Sequence, residues 1–185
     1  MSIETARSTR IDIVLLYLAR GVRGFGDGFA IIILPAYLSA IGLSTGQIGL
    51  IVSASLLGTA LLTLAVGFIA PRYDLRSLLL GGALLMACTG AAFPNVDLFV
   101  VISIVAFVGT INPSTGDLGI LVPLEHAMLA HEVPDHERTR TFARYSLIGA
   151  LSMAAGSLAA AIPDFMAFAD IGRVSAFKIM FYAYA

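Results

Sequence analysis

The chain has 185 residues, a formal net charge of −1, 58 % apolar residues and only 12 % charged ones, and its mean hydropathy is +0.92. A soluble domain would be nearer about 45–50 % apolar and about 25 % charged, so the composition is that of a membrane protein, and the lack of a basic patch excludes a nucleic-acid binder. The one cysteine, Cys88, lies in an apolar run, which excludes a disulfide framework.

A spanning helix needs about 20 mainly apolar residues at roughly 1.5 Å each. Residues 1–10 are polar and lead into a segment too long, and too charged in its middle, for the apolar core of a signal peptide, so they are expected to be retained. The first helix is predicted over 12–38, with Gly42 beyond it as a C-terminal stop. Inside it stand Arg20, Arg23 and Asp27, spaced i, i+3, i+7 and therefore on one face. Each such residue near mid-bilayer costs roughly 2.5–3.5 kcal/mol, so the trio costs on the order of 8–10 kcal/mol unless the charges pair or face a wet cavity. Ionisable groups inside a span mark a pathway or a coupling site.

The second helix, over 46–70, opens at the capping box Ser44-Thr45-Gly46-Gln47 and ends at Pro71. The third, over 77–93, stops before Pro94-Asn95. The fourth, over 98–124, starts after Asp97 and is interrupted at Asn112-Pro113-Ser114-Thr115-Gly116-Asp117. The fifth covers 141–162 and ends at Pro163-Asp164. The sixth, over 174–185, reaches only about 18 Å, short of a hydrocarbon core of ~30 Å. The expected fold is an all-α integral membrane protein: a polytopic helix bundle of five complete transmembrane helices plus a truncated sixth, in one domain over 1–185. A truncated last helix implies a fragment of something longer; the alternative is a re-entrant segment. Arg7, Arg10, Arg72, Arg76, Arg138 and Arg140 fall on one side of the membrane, against Arg173 and Lys178 on the other. The positive-inside rule then puts the N-terminus and the 2–3 and 4–5 loops in the cytoplasm, with the cell's inner (plasma) membrane as the expected location.

Several short stretches follow one another in a telling order. Leu34-Pro35-Ala36-Tyr37-Leu38, Gly42-Leu43-Ser44 and Gln47-Ile48-Gly49 lead from the first helix into the second. Gly67-Phe68-Ile69-Ala70-Pro71-Arg72-Tyr73-Asp74-Leu75-Arg76 joins the second to the third, and Pro134-Asp135-His136-Glu137-Arg138 precedes the fifth. Over nearly the whole chain this resembles the N-terminal six-helix half of a major facilitator superfamily transporter. The resemblance implies a 3+3 inverted-repeat half-bundle, solute transport by alternating access, and a C-terminal six-helix half in the same or another chain as partner. Two departures bear on function. The family has Asp where Pro71 stands and Gly where Asp74 stands, so either Asp74 replaces a carboxylate that latches the two halves or Arg72 and Arg76 only set topology, while Gly67 is expected to allow close packing. The fifth helix has Gly149 and Gly156 but lacks the Gly-Pro-x-x-Gly-Gly signature of antiporters, so both glycines are expected to serve packing.

In inverted repeats the first and fourth helices correspond, and interruptions at matching positions point to a binding site. Gly26-Asp27, an apolar run and Pro35 in the first match Gly116-Asp117, an apolar run and Pro123 in the fourth. Asp27 lies roughly 22 Å along its helix from Asp12, and Asp117 roughly 30 Å from Asp97, near the cytoplasmic end. Asp27 is the expected protonatable or solute-binding carboxylate. Arg23, one turn below, is its expected partner, and Arg20 is a candidate holder of an anionic solute. Asn112 is expected across the cavity, and Asp117 is a further candidate solute- or proton-binding carboxylate, the alternative for it being a gate or anchoring salt bridge. The alternative is a static Arg23–Asp27 pair that only pins the helix. Gly67, Arg72, Asp74, Arg76, Glu125, Arg138 and Arg144 are the expected cytoplasmic loop and gate residues. His126, His131 and His136 are spaced by five, on different helical faces, so no metal site is expected, and no cofactor. No zinc-protease, nucleophile-elbow or phosphate-loop pattern occurs, so the chain does not read as an enzyme. The expected function is proton-coupled secondary active transport of small solutes, the alternative a non-transporting half-unit that acts only when paired. Expected partners are the lipid bilayer, a small-molecule solute, protons and the C-terminal half.

Overall fold

The computed structural model describes residues 3–109, 119–167 and 172–185. Helix α1, Ile3–Ala40, carries Pro35 inside it and ends at Gly42, whose φ of 91° only glycine adopts without strain. The Gly42 N–H donates to the Ser39 carbonyl at 3.0 Å and that of Leu43 to Leu38 at 3.1 Å, the two bonds of a Schellman ending. Helix α2, Thr45–Ile69, follows at once. The Gln47 N–H donates to Ser44 Oγ at 3.4 Å, and the Ser44 N–H donates to Gln47 Oε1 at 2.9 Å. Those two bonds form the expected capping box. A 3-10 turn at Ala70–Arg72 closes α2. Helix α3, Leu75–Ala92, starts on the Asp74 side chain, which accepts from the Ser77 N–H at 3.4 Å.

Helix α4, Phe99–Val108, and helix α5, Leu121–Glu132, stand where one helix over 98–124 was expected. Residues 110–118 between them, with Asn112 and Asp117, lie outside the described residues. The cap of α4 is Leu98, not Asp97, and it has no side-chain bond. Helix α5 runs on to Glu132 because Leu121, Leu124, Glu125 and Leu129 are all buried, continuing one face past the point where the apolar run ends. Helix α6, Asp135–Ala159, begins six residues before the expected 141, since hydropathy marks the bilayer-embedded part of a helix and not its charged first turns. A short α7, Ile162–Ala167, and α8, Arg173–Tyr184, complete the chain. Among the described residues there are no strands. Four stretches among the described residues are long and apolar enough to cross a membrane: Ile11–Ala40, Thr45–Arg72, Leu75–Asn95 and Asp135–Met166.

Packing follows two long pairs, α1 along α6 and α2 along α4, with α8 filling the space beside α1 and α3. Small residues set both pairs. A Cβ on Gly28 would overlap the Met153 backbone and one on Gly156 the Phe25 backbone, while one on Gly58 would overlap Phe107. Such close approach is how helices associate where the solvent itself is apolar. At one end a core of Ile33, Tyr37, Ile51, Phe93, Ile102 and Phe181 fills the centre, with the Tyr37 and Phe181 rings 5.3 Å apart edge-to-face. Towards the other end Leu16, Leu129 and Tyr145 form a smaller cluster. Arg20, Arg23 and Asp27 of α1 lie between these two cores.

Candidate functional site

Three helices meet at Arg23. Its Nη1 donates to Glu125 Oε1 at 2.6 Å and its Nη2 to Glu125 Oε2 at 2.8 Å, a bidentate pair between α1 and α5. Nη2 also donates to the Tyr145 hydroxyl of α6 at 3.3 Å, and that hydroxyl donates to Glu125 Oε2. Both charged side chains are nearly out of solvent, 10 % and 3 % exposed. A planar guanidinium fork meeting a carboxylate edge-on is the strongest pairing these groups make, and a buried pair needs such geometry to offset its desolvation.

This corrects the expected pairing. Arg23 pairs with Glu125 rather than with Asp27 one turn up, because the facing helix offers a carboxylate that can take both nitrogens at once. Asp27 accepts instead from the Tyr184 hydroxyl of α8 at 3.1 Å. Glu125 is likewise not a loop residue. With α5 continuing to Glu132, it stands about two turns inside the helix end and is buried. Arg20 is also buried, its guanidinium 5.1 Å from the centroid of the Tyr145 ring and packed where Gly149 has no side chain. The trio on α1 therefore faces three other helices: Arg20 towards α6, Arg23 towards α5 and α6, Asp27 towards α8. Tyr145 and Tyr184 went unmarked in the sequence, where a tyrosine in an apolar run gives no contrast. The only available signal was that each carries a hydroxyl that a buried position must satisfy.

A cavity of about 550 Å³ lies beside the pair. Helices α1 and α3 form its walls and α5 and α8 its floor. Among the described residues, Arg23, Glu125 and Tyr184 are the polar side chains on its lining, which includes neither Arg20 nor Asp27.

The remaining loop and gate residues lie apart from this cluster. Among the described residues, an added Cβ on Gly67 would meet nothing within 4 Å. Arg72 ends the 3-10 turn after α2, and Asp74 caps α3. Arg76 pairs with Asp12 at 2.9 Å, tying the start of α3 to α1. Arg138 pairs with Asp135 at 2.8 Å and donates to the Ala130 carbonyl at 2.8 Å, bracing the α5–α6 turn. Arg144 is exposed on α6. Among the described residues no group of three His, Cys, Asp or Glu side chains is placed to hold a metal. His126 packs edge-on against Phe142 and Tyr145.

Two comparisons bear on identity. The family profile of the Major Facilitator Superfamily matches residues 16–183. An uncharacterised membrane protein of Saccharomyces cerevisiae, YJR124C, is 29 % identical over 147 residues, covering 80 % of this chain and 33 % of the relative. The chain thus spans about a third of the length of that relative. It is a membrane protein, and it belongs to the Major Facilitator Superfamily of membrane transporters.

Proposed function

We propose that the whole protein moves a small solute across its membrane by alternating access, coupled to protons through the charges on α1. The observation that carries this reading is the placement of Arg23. It bonds Glu125 directly, and Asp27 stands one helical turn away on its own helix, within the reach of an i, i+4 pair. Each carboxylate is held by a tyrosine from a different helix, Tyr145 on α6 and Tyr184 on α8. One cation between two carboxylates forms a two-position element. A proton on Glu125 removes the charge that holds Arg23, which then turns to Asp27 and competes with Tyr184. Helices α5 and α6 are released from α1, and the Tyr184–Asp27 bond that ties α8 to α1 is loosened.

The pairing of long helices supports the inverted-repeat half-bundle. If the first helix corresponds to the fourth and the second to the fifth, exchanging them turns the α1–α6 pair into the α4–α2 pair, and both are present. The alternative, a half-unit that acts only with another membrane domain, draws on the chain covering a third of its yeast relative. An intact mass of the natively expressed protein near 19.4 kDa would favour the half-unit, and one of twice that or more the full transporter.

The test is solute-driven proton movement into proteoliposomes holding the full-length protein and an internal pH dye, read across a panel of solutes. Asp27→Asn and Glu125→Gln are each expected to lower the proton signal about tenfold or more, while solute exchange at equal concentrations continues in Glu125→Gln. Unchanged uptake and pH dependence in both variants would remove these residues from coupling.

A further inference from the structure

The cavity beside Arg23 has a composition that selects its occupant. Its rims are Val22 on α1 and Leu80 on α3, 76 % and 72 % exposed, so it opens sideways between the two helices. The walls below them are Phe25, Phe29, Ala83 and Met86. The α1 wall runs from Leu16 to Phe29, roughly 20 Å along the helix. A polyhydroxylated solute would lose water against these walls and gain no partner in return.

The floor narrows the class further. Glu125 accepts from Arg23 on both oxygens and from Tyr145 as well, which engages three of its roughly four acceptor positions. An anionic solute would take Arg23 only by leaving Glu125 buried without its cation, and a cationic one would lie against a guanidinium. Arg23 is a donor on every nitrogen, and its side chain keeps 10 % of its surface open. The groove thus offers apolar walls, a neutralised ion pair and a donor edge.

We infer that the α1–α3 groove is the solute site and that its occupant is an uncharged, mainly apolar molecule carrying a hydrogen-bond acceptor such as a ketone or ester, entering from the side. This rests on the transporter reading for the movement of the solute, whereas the binding stands independently of it. The probe is methyl octyl ketone bearing a photoreactive diazirine, added to the full-length protein in lipid nanodiscs, with peptide mass spectrometry to place the adducts. Adducts are expected to concentrate on Phe25, Leu80 and Ala83 and to be suppressed by excess unlabelled ketone, while glucose and glutamate leave them unchanged. Ala83→Phe, which narrows the groove from its exposed α3 wall, is expected to lower labelling about tenfold with an unaltered unfolding temperature.

Adducts spread equally over the outward Leu57, Leu61 and Leu64 of α2, without competition, would overturn the inference in favour of ordinary lipid filling the groove. Competition by glucose or glutamate would overturn it in favour of a polar site. Groove labelling with no proton movement for any solute would uphold the binding inference and remove the coupling proposed above. Sugar-driven proton movement without groove labelling would do the reverse.

Discussion

Arg23 and Glu125 sit in nearly dry surroundings, and a buried pair of this kind is costly to break from one side. Glu125→Ala leaves the guanidinium only Asp27, one turn away and already bonded by Tyr184, and about 3 kcal/mol of stability is expected to go with it. The double variant Arg23→Leu with Glu125→Leu removes both charges and is expected to recover most of that loss, while Tyr145→Phe costs about 1.5–3 kcal/mol for a hydroxyl bonded to charged groups. Denaturant titration of the purified full-length protein in detergent gives these values; a Glu125→Ala protein as stable as the parent would mean that Arg23 finds another anion. The α1 half of this cluster is legible in the sequence, because Arg20, Arg23 and Asp27 interrupt an apolar run at spacings that put them on one face. The other half is not. Glu125 lies 102 positions from Arg23, at a point where the apolar run stops, so local pattern places it in a loop. Only the packing of α5 against α1 brings the two together, and i, i+4 geometry alone favours Asp27, the nearer but poorer partner.

At the level of helices, small residues decide which pairs lie close. Gly28→Leu and Gly156→Leu would each drive a side chain into the backbone of the opposite helix, a clash that side-chain rotation on that helix does not relieve. Both are expected to cost more than about 3 kcal/mol and to yield aggregated or proteolysed protein, judged by size-exclusion profile after extraction. Gly46→Leu, facing open space on α2, is expected to leave the profile unchanged; a poor profile there would show that this face is covered in the assembled protein. Helix ends with their own chemistry are readable from sequence: Gly42 stops α1, and the Ser44–Gln47 box starts α2. The ends at Glu132 and Asp135 are not, because helical hydrogen bonding continues through polar turns that a hydropathy window counts as loop. Gly67 shows the opposite failure. A glycine in a family-like motif suggests close contact, and none of the described residues supplies it within this chain.

For the molecule as a whole, the two long pairs and the charge distribution make one joint statement about orientation. The small core around Leu16, Leu129 and Tyr145 and the ion pairs Arg76–Asp12 and Arg138–Asp135 lie at the end that holds the α2–α3 and α5–α6 connections. The aromatic core around Tyr37, Phe93 and Phe181 lies at the other, with the 1–2 connection. Positive charge concentrates on the first end, so that end is expected in the cytoplasm. The check uses the full-length protein in a Cys88→Ser background with one new cysteine at a time, Ser39→Cys in the last turn of α1 and His136→Cys at the start of α6, both exposed positions. A membrane-impermeant maleimide is expected to label Ser39→Cys in intact cells and His136→Cys only after the membrane is opened. The reverse pattern would put Arg72, Arg76, Arg138 and Arg140 outside. It would also invert the direction in which Glu125 meets a proton, since Glu125 lies nearer the Arg-rich end than Asp27 does. The labelling result therefore fixes which carboxylate a proton entering from outside reaches first: Asp27 beneath the aromatic core if the Arg-rich end is cytoplasmic, Glu125 if it is not.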